Sequence, residues 1–293
     1  MNILNILAEI EKVDPEVYER LDQRRQVFKH FAGFGKKLAA STVPLAMGAM
    51  FKKAYAQSSG LSQQVIEVLN FALTLEYLEY YFYDMGVKTR NLFVQADLAA
   101  ITIIRDDELK HVNFLKAVLG ASAIAPLMAA DFDYTGSKGG KRAPLIPEVF
   151  RYRQNFLALA QAFEDTGVRA YKGGAPLLME NNTVLEAALN IHSVEARHVS
   201  HIRTMRRGGT QANGLPKSWI TGTDGGGPRP SVTAPVYGPG MSADMYPSEA
   251  NIVQAGIDLT SIPNVTADQA SEAFDEPLDM ATVLAIASNF LVK

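Results

Sequence analysis

The sequence predicts an all-α protein: two helical hairpins joined by a long crossover into a four-helix bundle, then a Gly/Pro-rich extended segment and a short helical C-terminal tail. Three observations predict it. Apolar residues recur at helical spacing in four long stretches between Leu61 and Arg207. Glycine and proline cluster in the breaks between them and after them. A polar pattern, Glu-x6-Tyr followed by Glu-x-x-His, occurs twice, once in each pair of stretches.

Residues 1–56 stand apart. Ile3, Ile6, Leu7, Ile10 and Val13 mark one face of an amphipathic helix that also carries several acids. Arg24-Arg25-Gln26-Val27-Phe28-Lys29 then resembles a twin-arginine export motif, although Val27 stands directly after the variable position and Phe28 one place later. The uncharged run 38–51 follows, and after it Ala54-Tyr55-Ala56, a small-residue cleavage pattern. That run is shorter than the roughly 20 residues a helix needs to cross a bilayer, so a stable membrane span is not expected. The expectation is a twin-arginine-type signal over 1–56 and a periplasmic mature chain from about Gln57. The alternative is a cytoplasmic protein with a helical extension.

The bundle is expected over residues 57–207. Its first helix, about 61–87, shows Val65, Leu69, Ala72, Leu75 and Leu78 at helical spacing. The second, about 92–119, stops at Gly120; Pro126, Gly136, Gly139, Gly140 and Pro144 then fit a long crossover better than a tight turn. The third is expected from Pro147 at a first helical position to Lys172, ended by Gly173-Gly174. The fourth follows Pro176 and ends at Gly208-Gly209.

From 208 to 263, runs such as Gly225-Gly226-Gly227-Pro228 and Gly238-Pro239-Gly240 predict an irregular strap or linker. Over 264–293, Thr266-x-x-Gln269 reads as a capping box opening one short helix. A second is expected from Leu278 to Phe290; its apolar Val283, Leu284, Ile286 and Phe290, with Leu291, predict that this end docks on the bundle or a partner.

Composition narrows the chemistry. Hydrophobic residues make up 47% and charged residues 20%, enough apolar material for a sizeable core. The net charge of −3 and the lack of a basic stripe in the bundle argue against nucleic acid as a partner. There is no cysteine, so thiolate chemistry and disulfides are excluded and any metal must be held by His, Asp, Glu or water.

The repeat supplies candidates for that role. Two of the five histidines, His111 and His198, lie three residues after Glu108 and Glu195, a spacing that puts both side chains on one helix face. Each preceding helix adds a glutamate, Glu76 and Glu164, with Tyr83 and Tyr171 seven residues on. Two such hairpins about an approximate two-fold axis bring four carboxylates and two imidazoles together, an oxygen-rich set suited to two metal ions, iron or manganese. Glu79 lies on nearly the same face as Glu76 and is a possible alternative ligand; the symmetric place in the second hairpin is Gly167. The tyrosine hydroxyls suit hydrogen bonding to ligand carboxylates; ordinary aromatic core is the alternative. Helical geometry turns His192 and His201 away from this face.

Leu73-Thr74-Leu75-Glu76-Tyr77-Leu78-Glu79, Asp107-Glu108-Leu109-Lys110-His111 and Ser193-Val194-Glu195-Ala196-Arg197-His198 resemble the ferritin-like superfamily, and more narrowly exported bacterial ferritin-like domain proteins related to desiccation-related proteins. The tail Ala273-Phe274-Asp275-Glu276-Pro277-Leu278 resembles them more loosely. The resemblance implies a metal-binding bundle and no single reaction, since members range from iron oxidation and storage to peroxide reduction and manganese catalases. The expected function is an exported di-metal protein of oxygen- or peroxide-linked redox chemistry or metal oxidation, with homo-oligomers possible. The rival is a non-enzymatic structural or stress-protection protein that keeps the bundle.

Overall fold

A computed structural model describes residues 60–209, 216–224 and 230–292. The twin-arginine motif Arg24-Arg25, the uncharged run and the Ala-x-Ala pattern lie outside the described residues. Four long helices build the bundle: α1 Gln63–Lys88, α2 Gln95–Leu119, α3 Arg153–Gly174 and α4 Asn182–Arg207. α1 packs along α2 and α3 along α4, and the two hairpins meet through α1 with α3 and α2 with α4. None of the described helices is long and apolar enough to cross a membrane.

Local chemistry sets the helix ends. The Ser62 side chain accepts from the Val65 amide at the start of α1, and Asn181 does the same for Val184 at the start of α4. Gly208 closes α4 in the left-handed conformation (φ 98°), which leaves its amide free to reach Met205 and Thr204 carbonyls.

Two boundaries differ from the sequence expectation. α3 begins at Arg153 rather than Pro147, because Glu148 takes φ 53° and closes a turn in which the Arg151 and Tyr152 amides bond its carbonyl. α3 also runs through Gly173-Gly174 instead of stopping there. Those glycines serve close packing: a Cβ on Gly173 would lie 2.0 Å from the Leu278 carbonyl oxygen of the C-terminal segment. The 208–263 region is likewise not wholly extended. It contains α5, Pro230–Tyr237, and a two-strand antiparallel hairpin, β1 Val253–Gln254 with β2 Ile257–Asp258.

The tail forms α6, Ala267–Glu272, opened by the Thr266/Gln269 capping box, and α7, Met280–Ala287. Val283 and Phe290 are buried, whereas Leu284 faces outward. The C-terminus pairs with the crossover: Phe132 and Leu291 form a β-bridge, and the Val292 amide bonds the Asp131 carbonyl. Tyr134 of the crossover donates to the Leu78 carbonyl at 2.8 Å, and its ring stands among Phe82, Phe150 and Phe163.

This wrapping explains why α3 is buried almost all round from Phe156 to Gly174. Its outward face carries Gln161, Asp165 and Arg169, four residues apart, and the strap supplies their partners. Arg169 is fully buried; it donates to the backbone carbonyls of Val236, Gly238, Pro247, Glu276 and Pro277 and pairs with Glu249 at 2.8 Å. Gln161 donates to Asp224 at 2.8 Å, and the Tyr237 hydroxyl donates to Asp165 at 2.7 Å. Arg203 of α4 joins Asp165 and Asp224.

Arg169→Ala would leave the buried Glu249 carboxylate without a charge partner, with the Glu276 amide as its remaining donor, and several buried carbonyls without a donor. The expected outcome in urea unfolding is a loss of about 3–5 kcal/mol. A loss below about 1 kcal/mol would show that the strap is held by other contacts.

Candidate metal centre

Midway along the bundle each helix turns one or two of the candidate residues inward. α1 carries Glu76, α2 Glu108 and His111, α3 Glu164, and α4 Glu195 and His198. The four glutamates and His111 are fully buried, and His198 is 6% exposed. Helical periodicity is what aligns them, since Glu108 with His111 and Glu195 with His198 are i,i+3 pairs.

The ligand atoms fall into two overlapping groups, each within 4.8 Å: Glu76, Glu108, His111 and Glu195, and Glu108, Glu164, Glu195 and His198. Glu108 and Glu195 belong to both. The His111 Nδ1 stands 3.1 Å from Glu76 Oε2, Glu108 Oε2 and Glu195 Oε1. The His198 Nδ1 stands 2.9 Å from Glu108 Oε1, 3.3 Å from Glu164 Oε2 and 3.5 Å from Glu195 Oε2. Each shared glutamate therefore aims one oxygen at either side of the site.

Both tyrosines reach across the bundle. Tyr83 donates to Glu164 Oε1 at 2.5 Å, and Tyr171 donates to Glu76 Oε1. Each hairpin's tyrosine thus fixes the other hairpin's single glutamate.

The symmetry is incomplete in two places. Asp107 stands 3.5 Å from His198 Nε2, whereas Val194 holds the corresponding place in α4 and, among the described residues, His111 Nε2 has no hydrogen-bond partner. No local pattern marks Asp107 for this role; only the fold shows that it meets a histidine of the other hairpin. Glu79 is buried but belongs to neither ligand group. It faces Gly167, its own symmetry-related position, where a Cβ would lie 3.4 Å from Glu79 Oε1 and 3.7 Å from Glu195 Cγ. His192 is turned away, bonding the Val168 carbonyl at 3.0 Å, and His201 is exposed.

Residues 64–207 match the family model of the ferritin-like domain. This part of the chain is a ferritin-like domain. Among curated proteins no match to the chain is found.

The electrostatics of this ferritin-like cluster test its fitness for cations. Burial lifts Glu76 to about 8, and burial together with neighbouring glutamates lifts Glu79 well above the usual carboxylate range. Burial also raises Glu164, against the pull of His198. Glu108 and Glu195 go the other way: burial opposes it, but the hydrogen bonds and charge of the two histidines hold them low. Burial works against charge on the histidines too, yet Glu76 and Glu108 raise His111 and Glu164 raises His198 well above the ordinary imidazole value. On Asp107, hydrogen bonds from His198 and Lys110 overcome partial burial and hold it at about 2.

Apart from the histidine nitrogens 2.9–3.5 Å away, several buried oxygens, among them Glu108 Oε1, Glu164 Oε2 and both Glu195 carboxylate oxygens, have no hydrogen-bond partner among the described residues. Acceptor-rich, donor-poor and enclosed, the cluster fits hard or borderline cations. Without them, protons on the two histidines and on the raised carboxyls of Glu76 and Glu164 offset the negative charge.

Metal uptake must displace those protons. The raised values of the histidines, Glu76 and Glu164 mean that these protons persist through neutral pH, so affinity is expected to climb with pH across that range, by about tenfold per unit for each proton displaced. Calorimetry of Mn(II) binding in buffers of different ionisation enthalpy checks this; proton release of zero at pH 7 would contradict it.

Proposed function

We propose that this cluster holds two metal ions, iron or manganese, and that the protein performs oxygen- or peroxide-linked redox chemistry or metal oxidation. The observation that carries the reading is the sharing of Glu108 and Glu195 between two ligand groups, one oxygen to each side. When bound, such metals supply one-electron redox change and open coordination positions.

The chain's own residues do the rest. Glu108 and Glu195 set the separation of the two positions. Glu76 with His111 completes one, and Glu164 with His198 the other. Tyr83 and Tyr171 hold the single-sided carboxylates in place, and Asp107 orients His198 through its Nε2–H. The enclosed bundle limits water, which strengthens every charge interaction inside.

Anaerobic titration of metal-free protein with Fe(II), followed by elemental analysis, is expected to give two metals per chain. Glu76→Gln is expected to leave one tight site, and Glu108→Gln to weaken both. Retention of two tight sites in Glu108→Gln would sink the assignment of Glu108 to both positions. Adding oxygen or peroxide to the loaded protein then tests for turnover.

A structural role for the same bundle is favoured by a different observation, the buried anchoring of the strap on Arg169 and Arg203. Metal-loaded protein that turns over neither oxygen nor peroxide would select it. Export through residues 1–56 is proposed from the order of Arg24-Arg25, the uncharged run and Ala54-Tyr55-Ala56. Substituting both arginines by lysine is expected to retain the protein in the cytoplasm; unchanged fractionation would remove the proposal.

A further inference from the structure

Wrapping the strap and tail around α3 leaves a chamber between them. Its volume is about 160 Å³, walled by the crossover, α3, α5, α7 and the last turn, with Leu159, Phe163, Val236, Ile286 and Phe290 among its lining. The space opens to solvent on one side, so it is a pocket that a ligand can enter and not a sealed void. An apolar cavity of about 150 Å³ stays dry and accepts benzene.

The chemistry of the walls restricts the occupant. No side chain lining the chamber is charged. All three polar lining groups already have partners: Thr282 donates to Asp279 at 2.8 Å, Asn289 donates to the Ala285 and Ile286 carbonyls and accepts from Arg142 at 2.9 Å, and Thr233 is engaged as well. A charged molecule entering here would lose its hydration with nothing in exchange. Access exists at one rim, where Pro235 and Ala285 are exposed.

The inner wall has a second property. Phe163 and Ile286 also bound a small void, about 10 Å³, that is lined on its far side by Glu79 and Gly167. The void admits at most a water-sized species. A molecule in the chamber is thus separated from Glu79, which lies beside the ligand cluster and outside it, by one layer of side chains and this void.

We propose that the chamber is a binding site for a small, uncharged, apolar molecule of about the size of a single aromatic ring. The site is formed jointly by bundle and strap, and it does not depend on whether the cluster holds metal.

Full-length protein labelled at Ile, Leu and Val methyls, titrated with toluene and in parallel with benzoate, tests this. Saturable shifts are expected at Leu159, Val232, Val236 and Ile286 with toluene, together with a melting temperature that rises with toluene concentration. Benzoate is expected to cause neither. Ala285→Trp, a change at the exposed rim that the helix tolerates, is expected to weaken toluene binding at least tenfold. Ala162→Leu, which fills the chamber from α3, provides a second variant with the same expectation. Absence of saturable shifts would overturn the proposal, as would shifts centred on other methyls, equal binding of benzoate, or undiminished binding in both folded variants.

Discussion

Negative charge concentrated in an apolar bundle is the constraint on which the arrangement of this protein depends. Glu76, Glu108, Glu164 and Glu195 converge with their oxygens a few ångströms apart and almost no access to solvent. Left uncompensated, they would repel one another and lose their hydration at a cost no single helix contact offsets. Two imidazoles inserted among them supply positive charge when protonated and ligand nitrogens when not. The helix spacing, the crossed tyrosines and the glycine opposite Glu79 all serve to keep these groups together. The chemistry proposed here follows from the same tension, because cations are what such a cluster binds best.

A second set of buried charges answers a different need. A four-helix bundle normally shows water one face of every helix. Here α3 shows almost none, since the strap and tail lie across it, and the polar residues on that face had to find protein partners instead. Arg169 gathers five carbonyls and Glu249, while Arg203, Asp165, Asp224, Gln161 and Tyr237 form a neighbouring network. Arginine suits both places, as its planar fork can satisfy several acceptors at once and it stays charged. Gly173 permits the Leu278 backbone to lie directly on the helix, and the apolar chamber is the space that this wrapping encloses but does not fill.

How far the molecule was legible in its sequence depended on whether a feature repeats. The bundle and the six converging residues stood out because helical period and the duplicated Glu-x6-Tyr, Glu-x-x-His pattern are both local signals. Glu79 could not be separated from Glu76 by face alone; what distinguishes it is contact with Gly167 on the other hairpin. Asp107 was invisible as a histidine partner for the same reason. The strap was harder still. Gln161, Asp165 and Arg169 stand at intervals of four, and nothing near them in the chain reveals that Glu249 and the carbonyls around 236–247 and 276–277 will cover them. Gly173-Gly174 read as a helix stop because a glycine needed for close packing looks the same in sequence as one needed for a turn. Pro147 carries the signal of a first helical position, but the positive φ of Glu148 defers the helix to Arg153.

The most direct test of the central claim is anomalous diffraction from metal-loaded crystals, collected above and below the iron and manganese absorption edges. The account predicts two peaks inside the bundle, each beside one histidine, with a carboxylate oxygen from both Glu108 and Glu195 at each. A single peak, two peaks that share neither glutamate, or no peak within the bundle would contradict it.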